Sequence, residues 1–200
     1  MYKKTFILIL MIGFILSCNN NDDDATNLEQ AQICDSSNTT FNQLYNIQLN
    51  DPNIFDYVSM DGETHGYTFE VITDKRICGI GYRSQPTFEM FPYLIEIYDN
   101  TNNSIVYSDY HTFSSVATEH VSIGSILLTA GNSYTIKRVQ NNSANDISIL
   151  VGRLISTPNM EDMNFPLLLD NLIITESWFT RLIEGTIVSV GLPYIDLVFE

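Results

Sequence analysis

Between Asn38 and Glu200 apolar and polar residues alternate in short runs. Tyr67, Phe69 and Val71 share one side of an extended chain, with Thr68 and Glu70 on the other. Tyr93, Ile95 and Ile97 repeat the arrangement around Glu96, and Ile105 and Tyr107 extend it. Val121 and Ile123 follow, then Tyr134 and Ile136 against Thr135 and Lys137. Ile147-Ser148-Ile149, Leu172 to Trp178 and Tyr194 to Phe199 complete the series. Period-two runs rich in Val, Ile, Tyr, Phe and Thr predict strands, because alternate side chains of an extended chain point to opposite faces.

The breaks between the runs carry turn chemistry. Asp99-Asn100-Thr101-Asn102-Asn103 separates two strands as a hairpin loop does, as do Ala130-Gly131-Asn132 and Asn141-Asn142-Ser143-Ala144-Asn145; Gly191-Leu192-Pro193 precedes the last strand. No sustained helical period is evident. Met160 to Asn171 begins one, but Pro166 lacks the amide hydrogen a helix interior needs. Strands with one apolar face must cover it with another sheet, so the expected fold is all-β, a jelly-roll-like antiparallel β-sandwich formed by residues 38–200.

The N-terminus has another pattern. Lys3 and Lys4 precede an apolar run from Phe6 to Leu16 broken by Gly13, with Ser17 behind it. At 1.5 Å per residue that run spans roughly 16 Å as a helix, about half a bilayer core, so it is too short to cross. The layout predicts a cleaved secretory signal over residues 1–17. Phe14-Ile15-Leu16-Ser17-Cys18 resembles a bacterial lipobox, which implies cleavage before Cys18, a thioether-linked diacylglyceryl group on its sulfur and an acyl chain on its new amino group. One chain binds a membrane marginally and two or three bind it stably, at about 0.8 kcal/mol per buried methylene. Asn19-Asn20-Asn21-Asp22-Asp23-Asp24 buries no apolar surface, and residues 18–37 are expected to be a solvated tether. The same run is similar to acidic stretches that follow the lipidated cysteine in surface-exported lipoproteins of the Bacteroidota. Asn19 does not resemble an inner-membrane retention signal. The resemblance implies a lipid-anchored protein of the outer membrane, exposed at the cell surface.

Charge narrows the partners. The chain holds 9 Lys and Arg against 24 Asp and Glu. Loss of Lys3 and Lys4 with the signal leaves 9 − 2 = 7 basic groups and a formal charge of 7 − 24 = −17. Nucleic-acid binding depends on Lys and Arg neutralising phosphates, so no nucleic-acid partner is expected. Three cysteines are present. With Cys18 acylated, Cys34 and Cys78 remain, either as a disulfide, which an exported compartment permits, or as two buried thiols.

A second resemblance covers Gly66 to Val139. Tyr67-Thr68-Phe69-Glu70-Val71, Ile77-Cys78-Gly79-Ile80-Gly81-Tyr82, the strand from Tyr93 to Asp99, and Ala130-Gly131-Asn132-Ser133-Tyr134-Thr135-Ile136 are similar in order and residue class to a PHR-type β-sandwich. The likeness implies fold and carries no site residues.

Catalytic patterns are sparse. No Gly-x-Ser-x-Gly elbow or glycine-rich phosphate loop occurs; Gly131-Asn132-Ser133-Tyr134-Thr135 ends without the glycine. His65, His111 and His120 lack the i, i+2 spacing of a metal pair on one strand face and are expected at the surface or in turns. Asp51, Asp56 and Asp61, followed by Gly62, lie in a turn-rich stretch without the calcium-loop spacing; they are either loop ligands or solvated charge. Glu161-Asp162 are adjacent, whereas glycoside hydrolysis needs carboxyls facing across a cleft. The aromatics, Trp178 with eleven tyrosines among them, serve either as sheet core or as an exposed platform for sugar rings. The expectation is a non-enzymatic binding or interaction module without metal or cofactor. A glycan-binding accessory lipoprotein of a polysaccharide-uptake system is the alternative, and an envelope protein is a further possible partner class. In cells, Cys18→Ala is expected to abolish signal cleavage and labelling by radioactive palmitate and to release the protein from the membrane fraction; unchanged processing and fractionation would contradict the lipid anchor.

Overall fold

The computed structural model describes residues 34–60, 64–84, 89–140, 151–181 and 185–200. The signal segment, Cys18, Asp61-Gly62, Asn141 to Asn145 and Ile147-Ser148-Ile149 lie outside them. The described residues belong to one compact unit and form thirteen strands and one helix, α1 (Thr40–Gln48).

Among the described residues the strands form an antiparallel β-sandwich. β10 (Leu172–Arg181), β2 (Thr64–Val71), β7 (Ser133–Gln140), β4 (Tyr93–Asp99) and β5 (Ser104–His111) pair in that order. The far edge of β10 is shared by β9 (Leu167–Leu169) and β11 (Gly185–Val188), which completes a seven-stranded sheet. A second sheet has the order β13 (Asp196–Phe199), β3 (Lys75–Tyr82), β6 (Glu119–Leu128). A third has the order β1 (Phe55–Met60), β8 (Val151–Ser156), β12 (Leu192–Pro193). One core joins all three: Tyr67, Ile95 and Ile136 come from the large sheet, Ile80 and Leu197 from the second, Ile155 from the third. Each such side chain contributes about 1.5–3 kcal/mol by leaving water. The alternation read at β2, β4 and β7 is present: His65, Tyr67, Phe69 and Val71 point inward on β2 while Thr64, Thr68 and Glu70 are half-exposed.

Two bulges shift that parity. On β10, Leu172 and Ile174 are buried, but Thr175 is an extra residue between the pairs Ile174–Phe69 and Glu176–Thr68. Beyond it Ser177 and Phe179 point inward, so Trp178 stands on the outer face. Unbroken alternation from Leu172 would have put Trp178 in the core. On β5, Val106 is the extra residue between the pairs Ile97–Tyr107 and Tyr98–Ile105, and Ile105 is 59% exposed instead of sharing the face of Tyr107. A bulge places two residues opposite one, which moves every later side chain to the other face.

The hairpin loop at Asp99 forms as its composition predicts. Asp99 accepts from the Asn102 backbone N–H at 2.9 Å, from the Asn102 side chain at 2.9 Å and from Asn132 Nδ2 at 3.2 Å. Burial pushes its carboxyl up, but these amide donors outweigh burial and hold it below the usual carboxylate range. The break at Ala130-Gly131-Asn132, expected as a hairpin, instead carries the chain from β6 in the second sheet to β7 in the first, since those strands pair with β3 and with β2 and β4 and not with each other. Gly131 there has φ +75°, which a residue with a Cβ adopts only with strain.

Helix α1 departs from the all-strand expectation. Phe41, Leu44 and Tyr45 are buried at i, i+3, i+4, but the helix has only nine residues, too few for a period to stand out among strands. Thr39 caps it by accepting from the Asn42 N–H at 3.0 Å, and the same hydroxyl donates to Asp196 on β13 at 2.6 Å. Ahead of the cap, Cys34 is bonded to Cys78 on β3. The end of the stretch assigned to the tether is therefore pinned to the second sheet. After Val139, β8 and β12 serve the third sheet, β9 to β11 the first and β13 the second.

The disulfide closes a loop with a separation of 44 residues, for which chain entropy predicts a contribution of roughly 3–4 kcal/mol. Cys34→Ala with Cys78→Ala is expected to lower the unfolding free energy by that amount in urea, and reduction of the wild type is expected to reproduce the loss. An unchanged midpoint would contradict it.

Candidate functional site

Groups able to do acid–base work gather first around β13. Asp196, buried on that strand, accepts from Thr39 Oγ1 and pairs with His120 Nε2 at 2.9 Å. Gly81 makes the room: a Cβ there would stand 2.5 Å from the His120 ring and 3.0 Å from Asp196 Cβ. The set holds a hydroxyl, a carboxylate and an imidazole, but the hydroxyl bonds the carboxylate. A nucleophile needs its base, so this order activates nothing and instead joins the cap of α1 to β13 and β6. Nearby, burial, reinforced by the Asp196 carboxylate, pushes the Tyr194 phenol up to about 12, and its O–H donates to Asn42 Oδ1 at 3.1 Å.

His111 ends the edge strand β5 and meets the Tyr107 hydroxyl at 2.5 Å, the two rings stacked. Burial, helped by Asp109, pushes the Tyr107 phenol up to about 12. His65, expected at the surface, is buried: its Nδ1 lies 2.8 Å from Arg138 Nη2. The Arg138 guanidinium also lies over the Tyr82 and Tyr93 rings, 5.7 and 5.2 Å from their centroids. On β7 the inward side chains thus pass from Tyr134 and Ile136 to Arg138 and Gln140. The register Tyr93–Gln140, Tyr93–His111 and Thr64–Val139 puts this polar nest at one end of the large sheet.

Three of the carboxylates weighed as calcium ligands or catalytic acids, Asp51, Asp56 and Glu161, have other partners. Asp51 accepts from the Asn53 N–H at 2.8 Å and stabilises a turn. Asp56 is bound by Arg153 at 2.8 Å, whose guanidinium lies 4.5 Å from the Tyr194 centroid and 5.0 Å from that of Tyr45. Glu161 accepts from Asn159 Nδ2 in a loop, with Asp162 beside it. Among the described residues no three His, Cys, Asp or Glu side chains are arranged to hold a metal ion.

The outer face of the seven-stranded sheet offers a different chemistry. One row of paired residues crosses it: Val188, Trp178, Gly66, Lys137, Glu96 and Ser108. The indole of Trp178 covers Gly66, with Cζ2 3.0 Å from where a Cβ would stand. The Ile136 carbonyl oxygen would lie 2.2 Å from that Cβ, so the strands admit only glycine at 66 without a backbone shift. Lys137 Nζ and Glu96 Oε2 form an ion pair at 2.5 Å. The adjacent row reads Thr186, Thr180, Thr64, Val139, Leu94 and Tyr110, with Tyr110 51% exposed. The sequence pattern singles out Trp178 among the aromatics, but not Gly66, Lys137 or Glu96 as its neighbours. A glycine inside a strand pattern is the one signal that marks close approach by another group.

No protein-family model and no curated protein matches this chain.

Asp196→Ala is expected to leave the Thr39 hydroxyl and His120 without their shared acceptor and to destabilise the domain by about 2–4 kcal/mol. Urea unfolding followed by circular dichroism measures it; a loss under about 0.5 kcal/mol, the range of an ordinary surface substitution, would show that the pair does not anchor α1.

Proposed function

We propose that this protein is a lipid-anchored binding module of the cell envelope, held at the outer membrane by acyl chains on Cys18 and exposed to the cell exterior. It works by holding a partner and catalyses no reaction. The observation that carries this reading is the outer face of the seven-stranded sheet, a broad surface on paired strands with Trp178 laid across Gly66. Sites built on paired strands keep their geometry better than sites on loops.

One further observation supports it in two ways. The Cys34–Cys78 disulfide suits an oxidising, exported compartment. It also fixes the chain to the body sixteen positions after Cys18 (34 − 18), so a pull on the anchor reaches a covalent bond before it reaches α1. The second reading, a glycan-binding accessory lipoprotein of a polysaccharide-uptake system, is favoured over an adhesive envelope protein by the Trp178 shelf.

A photo-crosslinking amino acid placed at Glu176 or Ser108 on the outer face is expected to give a discrete adduct in living cells, and one at Asp162 none. Protease added to intact cells is expected to digest the domain. Absence of any adduct from the outer face would contradict the binding role, and protection from protease would contradict surface exposure.

A further inference from the structure

We infer that the outer face of the seven-stranded sheet binds a neutral glycan chain, with Trp178 as its main stacking platform and Tyr110 as a second contact. This rests on the binding-module reading and gives that surface a ligand class. A sugar ring has an apolar C–H face, which leaves water on an aromatic ring, and a rim of hydroxyls, which need polar partners beside that ring. Trp178 supplies the platform. Gly66 keeps the strand beneath the indole free of any side chain. The neighbouring positions in the row are the paired Lys137 and Glu96, and two positions along β2 and β7 the Thr68 and Thr135 hydroxyls lie 3.3 Å from each other. Thr180 and Thr186 bond each other on the opposite flank.

Charge selects the neutral class. Lys137 is matched by Glu96, so the row has no net charge, and the chain carries 24 acidic against 9 basic residues. A polymer of uronates or sulfate esters would approach against that field.

The spacing of the aromatics favours a glycan over a protein. Trp178 on β10 and Tyr110 on β5 are separated by β2, β7 and β4. Four inter-strand steps and a two-residue offset give roughly 20 Å. Protein interfaces concentrate their anchors in one dry central cluster. Here the two rings stand at the flanks, with Thr64, Val139, Leu94 and the Lys137–Glu96 ion pair between them, an arrangement that suits a chain of several sugar rings lying across the strands.

Trp178 is the only tryptophan in the chain, so tryptophan emission reports this position alone. The mature protein is titrated with soluble starch, hydroxyethylcellulose, galactomannan and arabinoxylan, with polygalacturonate as the polyanion. At least one neutral polymer is expected to shift the emission to shorter wavelength, protect it from acrylamide and retard the protein in a native gel; polygalacturonate is expected to do none of these. Trp178→Ala is expected to weaken retardation by about tenfold or more, as loss of a central anchor does. Trp178→Phe keeps a ring, serves if the alanine variant fails to fold, and is expected to weaken it several-fold with an unchanged melting curve. Tyr110→Ala is expected to weaken it less. The inference is overturned if no neutral polymer moves the emission, if polygalacturonate moves it more, or if a folded Trp178 variant binds as well as wild type. Protein adducts from Glu176 or Ser108, with emission indifferent to every polymer, would sink the glycan while leaving the binding role standing.

Discussion

Tyr67, Ile95 and Ile136 on the seven-stranded sheet meet Ile80, Leu197 and Ile155 on the two smaller sheets in a single apolar layer, and every other feature of the domain depends on it. A sheet whose inner face is buried must direct its intervening residues outward, because the side-chain period of a strand is two. The outer row from Val188 to Ser108 is the obligatory complement of that core. Anything that moved the register of β2, β7 or β4 by one residue would bury Lys137 and Glu96 and expose Tyr67 and Ile136.

The chain ties its N-terminal region to this layer at two depths. Thr39 bonds Asp196 inside the sandwich, and Cys34 is joined to Cys78 on β3. Between these points and the sheets, α1 lays Phe41 and Tyr45 against Tyr194, with Phe41 stacked on Tyr67. Two polar side-chain pairs brace the same body, since His120 with Asp196 and Arg153 with Asp56 each bridge separate elements. On the outer face of the large sheet Lys137 and Glu96 likewise join β7 to β4.

Much of this was legible in the chain. Alternation marked β2, β4, β7 and β10, and asparagine- and glycine-rich breaks marked the hairpin at Asp99 and a turn at Gly131, though not that the turn at Gly131 passes from one sheet to another. What stayed hidden depends on pairing between distant segments. The bulges at Thr175 and Val106 reverse which face a residue joins, and nothing local to Trp178 or Ile105 announces them. Helix α1 escaped because three buried residues over nine positions make too short a period. His65 was expected outside because nothing near it in sequence shows that Arg138, 73 positions away, and the rings of Tyr82 and Phe179 would pack against it. Gly66 reads as an ordinary strand glycine until Trp178 is known to lie on it.

Core and outer face are told apart by which tyrosines, phenylalanines and tryptophans face water. Hydroxyl-radical footprinting of the intact protein, read residue by residue by mass spectrometry, measures that directly. Rapid oxidation of Trp178 and Tyr110, with Tyr67, Phe69 and Tyr134 protected until the domain unfolds, is the predicted result. Protection of Trp178 equal to that of Tyr67 would place the indole inside the sandwich and contradict the outer face described for it.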